Sequence, residues 1–185
     1  MTWIRTVDPE KAEGRTKEVY DEIVAKRGHL ANVFRAEGME PEVLKHQVGM
    51  YTALLLGPGP LSREEREMIA VVVSAANKSS YGAIHHCEAL EHVEKDPEAL
   101  SKVLAQFVKK SESPRVKTLL AYAAKLTLDP KDITEDDIKD MRDAGLTDQE
   151  ILRANLLASY FNFSNRVTLG LGVELEKGKT RTYRY

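Results

Sequence analysis

The chain has 185 residues, 27 Lys and Arg against 29 Asp and Glu, a net charge of -2 and one cysteine. That length suits a single domain with a substantial core, the near-neutral balance gives no electrostatic case for nucleic acid, and one cysteine excludes an internal disulfide. No apolar run approaches the ~18 residues a membrane span needs, and the opening MTWIRTVDPEK lacks the apolar centre of a secretion signal, so no membrane partner and a cytoplasmic location are expected.

In chain order, Asp8 before Pro9 marks a helix start, because Pro is tolerated at the first helical position and Asp can cap it. The spacing of Val19, Tyr20, Ile23 and Val24 predicts a helix to Gly28, with a possible break at Gly14. Leu30 to Gly38 reads as a short turn segment with Val33 and Phe34 turned inward. Pro41 opens a helix through Leu56, stopped by the tetrapeptide Gly57 to Pro60. Ser62 with Glu65 then forms a capping-box pattern ahead of an apolar run, Met68 to Ala76, that is too short for a bilayer and fits a core helix. Asn77 to Ser80 interrupt it, and a second helix resumes near Tyr81 carrying Gly82, His85, His86, Cys87, Glu88 and His92. Further helices are predicted from Asp96-Pro97 to Val108, from Ser113-Pro114 to Leu128, from Thr134 to Gly145, and from Thr147 onward. No convincing period-two alternation occurs, so the fold class is all-α over residues 1–185.

Sliding the chain by 85 residues lays LSREEREMIAVVVSAANKS over LTDQEILRANLLASYFNFS. Leu61 meets Leu146, Ser62 meets Thr147, Glu65 meets Glu150, Asn77 meets Asn162 and Ser79 meets Ser164. The match of caps, apolar runs and elbows predicts two related helical halves, 61–93 and 146–176. Leu152 and Leu171 stand where the first half has Glu67 and His86.

The stretch Leu61 to Val93 resembles the signature of the alkylhydroperoxidase D-like and carboxymuconolactone decarboxylase superfamily, and within it the peroxidase-related branch. That signature sets a glutamate, a cysteine twelve residues on, a second cysteine three further and a histidine four beyond. Here these places hold Glu67, Ser79, Gly82 and His86, so the frame is kept and both thiols are replaced. AAN before the elbow, HH and EAL after it, and the tail YFNFSNRVTLGLGVELE extend the likeness over most of the chain. The resemblance implies an alkylhydroperoxidase D-like helical domain, assembly into trimers or hexamers, and a family chemistry of antioxidant, oxidoreductase type in which glutamate and histidine relay protons to the cysteines.

With Ser79 and Gly82 in the thiol places, two-cysteine turnover is not expected, since a serine hydroxyl cannot cycle through sulfenic acid. Three readings stay open. Glu67 and His86 form an acid–base pair acting on a small carbonyl- or carboxylate-bearing molecule, with Tyr81 as an assisting acid; or they are a first-turn carboxylate and a core histidine in a protein that only binds or assembles. Third, Cys87 is a one-cysteine peroxidase or redox sensor, although it points ~100° away from His86 around the helix and equally fits a buried structural thiol. His85, Glu88 and His92 have the spacing of a helix stripe of metal ligands but read as a solvated face, so no metal and no cofactor is expected. His85, Asn162 and Arg166, with Asn165 nearby, are candidate ligand-binding residues for a small molecule.

Overall fold

The computed structural model describes residues 2–94 and 113–176, and the helix expected between Asp96 and Val108 lies outside them. Among the described residues all regular structure is helical: α1 Gly14–Arg27, α2 Asn32–Ala36, α3 Pro41–Tyr51, α4 Arg63–Ala76, α5 Ser80–Glu94, α6 Pro114–Leu128, α7 Glu135–Asp143 and α8 Asp148–Gly170. No helix among them is long and apolar enough to cross a membrane.

The centre is α4. Its Ile69, Ala70 and Val73 are fully buried against Leu119 and Ala123 of α6 and Ala154, Leu157 and Ala158 of α8. A second cluster, built on Val19, Tyr20 and Ile23 of α1, Phe34 of α2 and Leu44 of α3, reaches Tyr81 of α5 and Val173 beyond α8. The candidate site lies where these two clusters meet.

Positions 85 apart carry matching contacts. Ser62 and Thr147 each close a capping box, with Glu65 and Glu150, and one guanidinium serves both: Arg115 donates from Nε to Glu65 Oε1 at 2.8 Å and from Nη2 to Glu150 Oε1 at 2.5 Å. Asn77 donates to the Val73 carbonyl and to Asn162 Oδ1, both at 2.9 Å, while Asn162 donates to the Ala158 carbonyl at 3.0 Å. The matching elbow does not form. Between α4 and α5 the helix is broken by Lys78 in the left-handed conformation (φ 57°), whereas α8 runs without interruption through Asn162, Phe163 and Ser164. Phe163 stands at the place of Lys78, and a bulky aromatic side chain resists positive φ.

Three local expectations change. Asp8 does cap, accepting from Glu10 N at 3.1 Å, but it caps a 3-10 turn, Pro9–Lys11, and α1 begins only at Gly14. Leu30 to Gly38 contains a true helical turn, α2, whose first backbone N-H donates to Glu176 Oε1, 144 residues away. The helix from Pro41 is α-helical to Tyr51 and then widens into a π turn, Thr52–Leu56. There Arg153 Nη1 draws off the carbonyls of Ala53 and Leu54, at 2.9 and 3.0 Å, which favours the wider ladder.

Candidate functional site

Residues of α4, α5 and α8 bring the predicted glutamate and histidine together. Glu67 lies on the first half of α4 with 0 % exposure, and His86, on the second turn of α5, places Nδ1 2.7 Å from its Oε2. A carboxylate can only accept, so the imidazole Nδ1 carries the proton in this bond. Arg63, one turn before Glu67, donates from Nε to its other oxygen at 2.8 Å. Burial pushes the Glu67 carboxyl up, but the bond from His86 and the charge of Arg63 outweigh it and hold the group below the usual carboxylate range. The His86 ring stacks edge-on to Phe161, centroids 4.6 Å apart, which fixes its second angle.

A second carboxylate–histidine pair stands beside the first. His85 donates from Nε2 to Glu176 Oε2 at 2.9 Å, and Tyr81 donates its hydroxyl to Glu176 Oε1, also at 2.9 Å. Burial works against ionising Glu176, yet the His85 bond and the Asn32 backbone N-H bring it down to about 2. No local pattern around Glu176 in the tail YFNFSNRVTLGLGVELE marks it for this site. Only long-range packing, with Asn32 Nδ2 also tied to the Glu174 carbonyl at 2.9 Å, returns that tail to α2 and α5.

Both histidines line one cavity of about 60 Å³, together with Arg27, Tyr81, Gly82 and Asn165. The remaining wall is largely aromatic, from Phe34, Tyr51, Tyr160 and Phe161. Arg27, the last residue of α1, is 8 % exposed, with its guanidinium 4.6 Å above the Tyr51 ring and Nη2 3.4 Å from the Tyr51 hydroxyl. Nothing in its sequence context singled it out.

Ser79 and Gly82, at the places where the signature sets its thiols, have structural duties here. Ser79 precedes α5 and its Oγ accepts from Gly82 N at 3.4 Å, the position of an N-cap. At Gly82 a Cβ would fall 2.5 Å from Ser74 Oγ and 2.7 Å from Asn165 Oδ1. Those two side chains are hydrogen-bonded at 3.3 Å and fill the space a cysteine would need.

Other predicted residues are placed elsewhere. Cys87 is buried in the apolar core with Leu90 and Val73 and does not line the cavity. Asn162 is spent on Asn77, Thr127 and the Ala158 carbonyl, and the exposed Arg166 caps the Asn162 carbonyl at 2.9 Å. At ~100° per residue around α8, Phe161, Asn165 and Thr168 face the cavity while Asn162 and Arg166 turn away from it. His92 lies outside the residues whose side chains are described, and no cluster of potential metal ligands occurs among those that are.

The carboxymuconolactone decarboxylase family matches residues 41–125, a span that contains Glu67, the elbow and both histidines. This match and the shared fold support the reading of the sequence as one of the alkylhydroperoxidase D-like and carboxymuconolactone decarboxylase type. Two solved structures that the chain resembles are of uncharacterised peroxidase-related proteins. That of Silicibacter sp. TM1040 is 29 % identical, covers 99 % of this chain and 96 % of its own, and has a TM-score of 0.83. That of Ralstonia eutropha JMP134, described as an alkylhydroperoxidase AhpD core, is 26 % identical over 95 % and 93 %, with a TM-score of 0.81. A debrominase, Bmp8, solved in complex with 2,3,4-tribromopyrrole, shares the fold at 16 % identity over 96 % and 93 %, with a TM-score of 0.77. No protein of curated function matches the sequence.

Proposed function

We propose that this chain has left two-cysteine peroxide chemistry and catalyses proton transfer on a small carbonyl- or carboxylate-bearing molecule, with His86 as general base. The observation that carries the reading is the 2.7 Å contact between His86 Nδ1 and a fully buried, ionised Glu67. With Nδ1-H held by the carboxylate, the imidazole presents Nε2 as its lone pair, and no hydrogen bond to that nitrogen occurs among the described residues. When Nε2 takes a proton, the resulting imidazolium is stabilised by Glu67, already in place and shielded from water. Arg63 keeps Glu67 from drawing that proton away. The alternative thiol route has no support in the cavity, since the single cysteine is in the core.

The test is proton-deuterium exchange in D2O, followed by proton NMR, on a panel of small 2-oxo acids, ketones and lactones. Catalysed exchange at the carbon next to the carbonyl is expected, with a loss of ~10²–10⁴-fold in His86→Ala, the usual worth of a positioned general base. Glu67→Gln should lose part of that. Exchange no faster than buffer, or an undiminished rate in His86→Ala, would overturn the reading.

A further inference from the structure

We propose that the Ser164 hydroxyl is the hydrogen-bond donor that holds the carbonyl oxygen of a small ligand in this cavity. The acid–base reading above, on which the word substrate here rests, then has one residue for the proton and another for the oxygen. The observation behind the proposal is a serine in the cavity wall whose hydroxyl makes no hydrogen bond among the described residues.

The repeat explains why that hydroxyl is spare. Its counterpart 85 residues earlier, Ser79, stands at the break between α4 and α5, where its Oγ accepts from Gly82 N. In the second half no break forms, and Ser164 sits inside the continuous α8 with no helix end to cap. Serine and threonine inside a helix commonly turn back onto a carbonyl three or four residues earlier. Thr127 does so onto the Ala123 carbonyl at 2.8 Å, and Thr168 onto the Asn165 carbonyl at 2.9 Å. Ser164 does not, and it is half-buried in the cavity wall.

Its place on α8 suits the role. Phe161, Ser164, Asn165 and Thr168 share one helix face and all line the cavity. The Phe161 ring stacks against His86, and Ser164 stands three residues further, about 4.5 Å of helix rise. Neighbouring polar groups are already bonded: the Tyr81 hydroxyl and His85 Nε2 to Glu176, and the Asn165 amide to Ser74 Oγ. His86 Nε2 and Ser164 Oγ belong to one cavity and carry no hydrogen bond among the described residues. When His86 takes the proton from the carbon beside a carbonyl, the electron pair moves to the carbonyl oxygen, and a donor waiting there stabilises the charge. Return of the proton restores the carbonyl. Nothing is oxidised or reduced, and Ser164 keeps its own proton throughout.

The full chain would be titrated with acetone, pyruvate and γ-butyrolactone, each labelled with carbon-13 at the ketone or lactone carbonyl, and followed by carbon NMR, in which a hydrogen-bonded carbonyl moves downfield. A saturable downfield displacement is expected with at least one of the three. It should persist in Ser164→Thr and in His86→Ala and fall to less than half in Ser164→Ala, a change that α-helix propensity favours. Ser164→Ala should also slow deuterium exchange about ten- to a hundredfold, the worth of one hydrogen bond to a charged oxygen, with half-saturation kept within about threefold. No saturable displacement with any of the three on the native chain, or an equal displacement in Ser164→Ala, would overturn the proposal. A displacement lost in Ser164→Ala without exchange by the native chain would sink the acid–base reading and leave this one standing; exchange that falls in His86→Ala but not in Ser164→Ala would do the reverse.

Discussion

Glu37, at the end of α2, offers the sharpest test of the energetics. Both its carboxylate oxygens are buried without a hydrogen-bond partner among the described residues, and burial raises the group from its ordinary 4.5 to about 7. The folded protein therefore holds a proton that the unfolded chain has released between about pH 4.5 and 7. Stability from this group is complete below the lower value and lost as pH rises through the upper one. The difference of 2.5 between the two values, at ~1.36 kcal/mol per unit, gives ~3 kcal/mol. Glu37→Gln mimics the protonated acid and cannot ionise. Urea denaturation of both proteins from pH 4.5 to 8.5 should show them equally stable at the acid end, with the variant gaining ~3 kcal/mol by pH 8. Subtracting one curve from the other removes every other titrating group. A flat difference, or a variant less stable at pH 8, would refute the idea that Glu37 is buried without a compensating charge.

Glu67→Ala should destabilise by ~3 kcal/mol in denaturant, the lower end of the cost of removing one partner from a buried ion pair, because Arg63 can turn to solvent. Since His86 and Arg63 hold Glu67 low, its contribution should be present above the ordinary carboxylate range and fade as acid protonates it. Gly82→Ala should cost ~1–3 kcal/mol by overpacking, and Ser74→Ala should recover part of that by removing the atom 2.5 Å from the new Cβ; additive losses in the double variant would contradict the assigned clash. Lys78→Gly should raise the denaturation midpoint, because relief of ~1–2 kcal/mol of left-handed strain exceeds the ~0.5–1 kcal/mol entropic cost of glycine. A lower midpoint would mean that the Lys78 side chain contributes more than its backbone strain costs.

Much of the fold was legible because its signals are local. Capping boxes at Ser62, Thr134 and Thr147 each form as their spacing predicts, since cap and partner lie within one turn. The four-residue rise from Gly82 to His86 puts both on the cavity face of α5 and leaves Cys87 off it, because helix geometry fixes side-chain direction. Errors arose where a distant group decides the outcome. The wide turn at Thr52–Leu56 depends on Arg153, a hundred residues away, and Asn162 and Arg166 stand three residues before and one after Asn165, which lines the cavity.

By itself, the sequence determined the all-α fold class seen in the described residues and the spacing of Glu67, Ser79, Gly82 and His86, because helix periodicity, caps and residue identity require no knowledge of what packs against them. Only the tertiary structure decided that Glu67 and His86 are bonded, that Gly82 is closed to a side chain by Ser74 and Asn165, and that Arg27 and Glu176 belong to the same site. Those facts are set by burial and by contacts between segments as much as 144 residues apart, where the cost of placing a charge in a dry interior depends on partners that no local pattern names.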